Sequence, residues 1–287
     1  VKQTIENFST NVSEILEPNK PYLFISNHRD ITLDSALCNH AIDSIGLETT
    51  YNAIGDNLVS VNWMGDLLRL NKSFVISRSG ESKKDIYSNL SRASKFIKEK
   101  LENGSHVWIA QKQGRSKDGL DKTDPAVLKM LHIALRKEMS FEQMVSKYNI
   151  VPCSISYEID PLAKEKAQQL NDSASKKDNE DITHIFKGVM LDKGNVALNF
   201  GKPIEGEFSA EEMAKEIDNV ILGNYKLWDT NIYAYKFLYE TVKDDEYPNA
   251  SAYFNNLRSV MTNKELEYIM NQYANPYKAQ MELKDGR

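Results

Sequence analysis

The stretch Tyr22-Leu23-Phe24-Ile25-Ser26-Asn27-His28-Arg29-Asp30-Ile31-Thr32-Leu33-Asp34 runs from an apolar tetrad into a polar loop. Turn residues Pro18-Asn19-Lys20-Pro21 precede it. Four consecutive apolar residues after a turn predict a buried strand, and a helix is expected from about Asp30 to Ala41. The pattern recurs along the chain. Residues 49–54, 74–76, 107–110 and 149–156 read as strands, and residues 84–101 and 125–136 as helices. In the first helix Ile86, Leu90, Ala93, Phe96, Ile97 and Leu101 form one stripe, and Asn103-Gly104 stops it. Strands alternating with helices predict an α/β fold with a mostly parallel central sheet flanked by helices.

Outside this block the expectations differ in kind. Residues 2–16 read as an amphipathic helix with Ile5, Phe8, Val12, Ile15 and Leu16 on one face. Residues 160–181 read as a helix end and a mobile linker. Residues 185–191 and 195–200, joined by Asp192-Lys193-Gly194, read as a hairpin. Beyond Phe208 the pattern is helical, at 210–222, 228–242 and 264–274. The expected organisation is an α/β domain over residues 1–208, with a helical C-terminal extension over 209–287 packed on it.

Hydrophobic residues make up 41% of the 287 and charged residues 27%, which excludes collagen, coiled coil and global disorder. No apolar run approaches the ~18–20 residues that span a bilayer. The first residues lack the charged-then-apolar pattern of a signal peptide. Cys38 and Cys153 both sit in apolar surroundings, so buried free thiols and a cytoplasmic setting are expected. The net charge of −5 argues against general nucleic-acid binding but hides an asymmetry. Between Arg69 and Lys129 there are 14 Lys and Arg against 7 Asp and Glu, which leaves −12 for the remainder. A basic middle in an acidic chain points to an anionic ligand or surface.

Four stretches carry the chemistry. In the first, Asn27-His28 follows a strand, where α/β sheets place their ligands. Asp30 suits an N-cap, and Asp34 stands one turn inside the helix. A carboxylate on one imidazole nitrogen fixes the tautomer and leaves the other nitrogen as a base. Asp34 is the preferred partner of His28 and Asp30 the alternative. His28-Arg29-Asp30 also matches the tripeptide of a kinase catalytic loop. However, Ser35 stands where that loop needs Asn, and no G-x-G-x-x-G or Asp-Phe-Gly exists. The second stretch runs from Gly55-Asp56-Asn57-Leu58 to Lys72-Ser73-Phe74-Val75-Ile76-Ser77-Arg78, where a strand delivers an arginine able to grip a phosphate with two bonds. The third is Trp108-Ile109-Ala110-Gln111-Lys112-Gln113-Gly114-Arg115-Ser116-Lys117, a strand ending in a cationic loop. The fourth is the apolar strand around Val151-Pro152.

In this order the four resemble the glycerolipid acyltransferase superfamily, with its Asn-His-x4-Asp, Gly-x-Phe-Phe-Ile-x-Arg, Glu-Gly-x-Arg-Ser and Val-Pro blocks. The resemblance runs from about Pro21 to Pro203. Gly55-Asp56-Asn57-Leu58 looks most like the glycerol-3-phosphate and dihydroxyacetone-phosphate branch. Two departures stand out. The first block is His-x5-Asp, one residue longer than usual, and Lys112-Gln113 occupy the place of the third-block glutamate that helps hold the acceptor.

The resemblance implies acyl transfer from an acyl thioester, acyl-CoA or acyl carrier protein, to a hydroxyl of glycerol-3-phosphate or a related phosphorylated glycerol in phospholipid biosynthesis. A lysophosphatidate acceptor and a non-catalytic lipid- or anion-binding relative are the alternatives. His28 and Asp34 would be catalytic. Arg78 and Arg115 would hold the phosphate, with Ser116, Lys72, Lys112 and Lys117 as further contacts. No metal or cofactor beyond the thioester is implied. Peripheral contact with anionic lipid on the inner face of the cell membrane is expected. The basic helix at 84–101 and the aromatic segment Trp228, Tyr233, Tyr235, Phe237 and Tyr239 are the candidate surfaces.

Overall fold

In the computed structural model of the chain, the described residues are 3–59, 62–171 and 180–286. Seven strands form one sheet: β1 (Asn7–Thr10), β2 (Leu23–Ser26), β3 (Tyr51–Gly55), β4 (Ser73–Ile76), β5 (Val107–Ala110), β6 (Ile150–Tyr157) and β7 (Asn195–Phe200), in the order β1-β7-β6-β2-β5-β3-β4. The helices are α1 (Val12–Ile15), α2 (Leu33–Ser44), α3 (Asn62–Leu70), α4 (Lys83–Glu102), α5 (Pro125–His132), α6 (Phe141–Lys147), α7 (Ala163–Asn171), α8 (Glu180–Met190), α9 (Ala210–Gly223), α10 (Asp229–Tyr239), α11 (Pro248–Arg258) and α12 (Asn263–Lys284).

The apolar tetrad puts β2 at the centre. Leu23 pairs in parallel with Val107 of β5 and with Ile150 of β6. Successive side chains alternate between faces. Leu23 and Ile25 enter one core with Val107, Ile109 and the inner faces of α4, α5 and α9. Tyr22 and Phe24 enter the other with Trp108 and the inner face of α2. Both faces are covered, so the strand is apolar throughout rather than alternating. The five strands from β6 to β4 are parallel, and β7 and β1 run against them. The carboxyl ends of β2, β3, β4 and β5 therefore share one edge, which is where the first three blocks leave the sheet.

Three expectations fail. The helix expected at 2–16 is instead β1 and the single-turn α1. Ile5, Val12 and Leu16 are buried as their pattern requires, but the backbone around Phe8 pairs with β7. The Asn11 amide prolongs that pairing through both its atoms, to Phe200 O at 3.0 Å and from Phe200 N at 2.7 Å. The hairpin fails because residues 185–191 belong mostly to α8, while β7 takes β6 as its antiparallel partner. A short apolar run does not by itself separate strand from helix. Third, the segment read as a helix end and linker contains α7 and the start of α8; its stretch 172–179 lies outside the described residues. Helices α3, α6 and α11 were not expected, and α2 begins at Leu33 rather than Asp30.

Residues Ala210, Met213, Ala214, Ile217 and Ile221 of α9 share the core of the sheet. The inner faces of α7, α10, α11 and α12 build a third core around Tyr233, Phe254 and Tyr273. Tyr233 is thus packed inside, whereas Phe237 and Tyr239 are exposed. Helix α4 buries Ala93, Ile97 and Leu101.

Helix α12 runs ten residues past the expected end because it tolerates Pro276 in its interior. Proline offers no N–H to the carbonyl four residues back, that of Gln272. Gly119 packs against that carbonyl so closely that a Cβ there would lie 2.1 Å from the oxygen. With φ at +77°, Gly119 is doubly constrained. The C-terminal helices thereby support the loop that follows β5.

Candidate active site

The loop after β2 is held by Asn27. Its side chain accepts from Ile155 N at 2.8 Å and donates to Ile155 O at 3.0 Å, as a further rung of the sheet. The next residue, His28, is turned toward the sheet edge, with its ring edge-on to Trp108. His28 Nδ1 lies 2.9 Å from Asp34 Oδ2. The same oxygen accepts from Arg29 N at 2.6 Å and Asp30 N at 3.0 Å, and Asp34 Oδ1 accepts from the Tyr157 hydroxyl at 2.9 Å. Four donors fix this buried carboxylate, and the carboxylate fixes the imidazole. His28 Nε2 makes no hydrogen bond among the described residues and is left for a ligand.

The longer His-x5-Asp spacing is absorbed before the helix. Asp30 Oδ1 accepts from Thr32 N and Leu33 N, both at 2.9 Å, and turns the chain into α2. Asp30 is therefore the turn-capping residue and Asp34 the partner of His28. The other Asp30 oxygen is buried without a partner among the described residues, against Gly188 of α8. Burial, reinforced by Asp34, pushes its carboxyl up from the usual range.

His28 lines a cleft of about 700 Å³ at the carboxyl edge of the sheet. Its lining includes the apolar side chains of Ile31, Ile54, Leu58, Ile76, Ile109 and Val127. Arg78, Lys112, Arg115 and Lys117 also line it, so the second and third blocks converge on His28 although 50 and 87 residues away in sequence. Arg78 Nη1 is 3.5 Å from Asp124 Oδ2. The loop carrying it is tied to β3 by Asp56, which accepts from Ser77 and Ser79 at 2.8 and 2.6 Å. Those bonds, that from Ser79 above all, hold the Asp56 carboxyl below its usual range. This gives Gly55-Asp56-Asn57-Leu58 a structural task.

Two expected contacts are placed elsewhere. Ser116 is buried; its hydroxyl donates to Leu120 O at 3.2 Å, and its N–H to His28 O at 2.7 Å. It braces the histidine's backbone rather than lining the cleft. Lys72 precedes β4 and so stands at the opposite edge of the sheet, paired with Glu48 at 2.7 Å. In a parallel sheet, residues before and after a strand cannot share a site.

Several cleft residues carried no sequence signal. Glu165 and Gln168 come from α7, and Glu180, His184 and Lys187 from α8. Glu165 and Glu180 supply carboxylates in the cleft, where the third block offers Lys112 and Gln113 instead. Arg29 is also buried, pairing with Asp121 at 2.5 Å and donating to Gly119 O at 3.3 Å, which ties the first block to the third. Among the described residues no group of three potential ligands could hold a metal ion, and no helix is long and apolar enough to cross a membrane.

A mostly parallel sheet with a His–Asp pair and two arginines together at its carboxyl edge defines an α/β protein whose cleft lies at the strand ends. The acyltransferase family model matches residues 4–156, more than half of the chain, and the protein belongs to that family of acyl-transferring enzymes. Among solved structures it is similar to the 1-acyl-sn-glycerophosphate (LPA) acyltransferase, PlsC, from Thermotoga maritima, at 17% identity and a TM-score of 0.44, over 75% of this chain and 69% of that one. No curated protein matches the chain.

Proposed function

We propose that the protein transfers a fatty acyl group from acyl-CoA or acyl carrier protein to a hydroxyl of glycerol-3-phosphate or a related phosphorylated glycerol. The observation that carries this reading is the His28–Asp34 pair, 2.9 Å apart, in one cleft with Arg78 and Arg115. His28 Nε2 takes the hydroxyl proton while the alkoxide attacks the thioester carbonyl. The tetrahedral intermediate then expels the thiolate, which receives the proton from His28. Asp34 holds the Nδ1–H tautomer and stabilises the imidazolium. The apolar side chains of the lining suit the acyl chain, and the arginines suit the acceptor phosphate. Phospholipid synthesis would bring the protein to the inner face of the cell membrane, as a peripheral protein.

Purified protein given labelled acyl-CoA or acyl carrier protein, with glycerol-3-phosphate and lysophosphatidate offered in parallel, tests this. Acylation of glycerol-3-phosphate is expected. Absence of transfer to any phosphorylated glycerol, with either donor, sinks the reading. Arg78→Ala and Arg115→Ala should each raise the acceptor KM well before the donor KM, by about 1.5–3 kcal/mol for a lost hydrogen bond to a charged group. Lysine at either position should remain impaired, since it cannot make the two-pronged contact. Glycerol acylated as well as its phosphate would remove the arginines from acceptor binding.

A further inference from the structure

Arg115 is half-buried and is held in an unusual way for a guanidinium. Its Nη2 lies 2.9 Å from His184 Nδ1 on α8. Guanidinium nitrogens only donate, so Nδ1 must be the acceptor and the His184 proton must sit on Nε2, which is 3.7 Å from Glu180 Oε1. Burial, followed by the positive charge of Arg115, pulls the His184 imidazole below its ordinary value, with Glu180, Glu165 and Asp181 acting the other way. The neutral imidazole this favours is the form that can accept.

The other end of the guanidinium is unfinished. Arg115 Nη1 is buried and has no hydrogen-bond partner among the described residues. A buried donor on a charged group is costly to leave unpaired. No carboxylate among the described residues lies within ion-pair distance of Arg115, so its positive charge is oriented without being neutralised. Arg29 shows the contrast: Asp121 pairs with it, and it is structural. A neutral imidazole that fixes the arginine by one nitrogen leaves its charge unneutralised where Arg115 lines the cleft.

We propose that His184 is a positioning residue for Arg115 and that α8 thereby helps select a phosphorylated acceptor. This rests on the reading of Arg115 as the residue that holds the acceptor phosphate. Helix α8 is suited to the task because its seat is fixed independently of Arg115. His184, Ile185 and Gly188 face inward, and Gly188 packs so tightly on Asp30 that a Cβ would lie 2.2 Å from its carboxylate oxygen. The turn that leads into Asp34 and the imidazole that orients Arg115 are thus braced by the same helix.

Equilibrium binding of glycerol-3-phosphate to the full chain tests the proposal without depending on turnover. His184→Leu, which keeps bulk but removes the acceptor, should weaken binding about tenfold, the scale of one hydrogen bond to a charged group. His184→Gln offers an amide oxygen to the guanidinium and should restore binding to within about threefold. In the Arg115→Ala background, His184→Leu should add less than about twofold, because the two act as one unit. The acyl-donor KM should stay unchanged in both His184 variants. If His184→Leu does not fold, His184→Ala takes its place in the same comparison. Normal binding by the His184 variant alongside weakened binding by Arg115→Ala overturns the positioning role and leaves the acceptor reading standing. Equal losses for Leu and Gln also overturn it, by making the residue merely structural. Normal binding by Arg115→Ala overturns the acceptor reading and the positioning role together.

Discussion

His28→Ala is expected to lower acyl transfer at least ~100-fold, within the range that a positioned general base contributes. The imidazole has one nitrogen committed to Asp34 at 2.9 Å and the other unbonded on the cleft side. Removing it removes the group placed to take the hydroxyl proton. The fold should survive. The contact that ties residue 28 to the third block is its backbone carbonyl, bonded to Ser116 N at 2.7 Å, and alanine keeps it. Thiol release from the acyl thioester measures turnover, and circular dichroism checks folding. Near-normal turnover in a folded variant would remove His28 from the chemistry. In the same assay Asp34→Asn should cost more than Asp30→Asn. The first puts an amide among four donors, whereas the second can keep a carbonyl oxygen toward Thr32 N and Leu33 N.

The parts legible in the sequence were those in which local pattern and final environment agree. Tyr22 to Ile25 is apolar because both faces of β2 are covered, so no partner strand had to be known to place it. His28, Arg78 and Arg115 follow strands, and parallel pairing then brings strand ends together. That logic also rejects Lys72, which precedes its strand; the signal was present and outweighed by its charge. Other features depend on partners remote in sequence. Residues 7–10 are extended only because β7, 188 residues later, is there to pair with them. Ile5, Phe8 and Val12 satisfy a helical spacing equally well. Tyr157 reaches Asp34 across 123 residues, and no local pattern marks it. His184 is a single histidine in a short helix whose meaning comes from Arg115 alone. Lys166 and Lys193 are fully buried, against the ordinary placing of lysine at the surface.

Lys166 leads to the largest expected effect on stability. Its ammonium is sealed from solvent, 2.5 Å from Asp160 Oδ2. The same oxygen accepts from Gln272 Nε2 at 2.6 Å, Oδ1 accepts from Leu162 N at 2.9 Å, and the Asp160 N–H donates to the Tyr273 hydroxyl at 2.7 Å. One carboxylate beyond the end of β6 thus gathers α7 and α12. Burial pulls the Lys166 pKa down, and the attraction of the neighbouring Asp160 opposes that shift. Asp160→Ala leaves that ammonium without its partner and should destabilise the protein by about 3–5 kcal/mol, the cost of breaking a buried pair from one side. Adding Lys166→Met to the same chain should recover most of the loss, because no buried charge then remains. Denaturant midpoints of the three proteins measure both steps. A single variant within ~1 kcal/mol of the parent would mean that water reaches Lys166. The single variant should also slow acyl transfer. Gln272 bonds Asp160 with its side chain and presents its carbonyl to Gly119, so loosening α12 loosens the loop that carries Arg115.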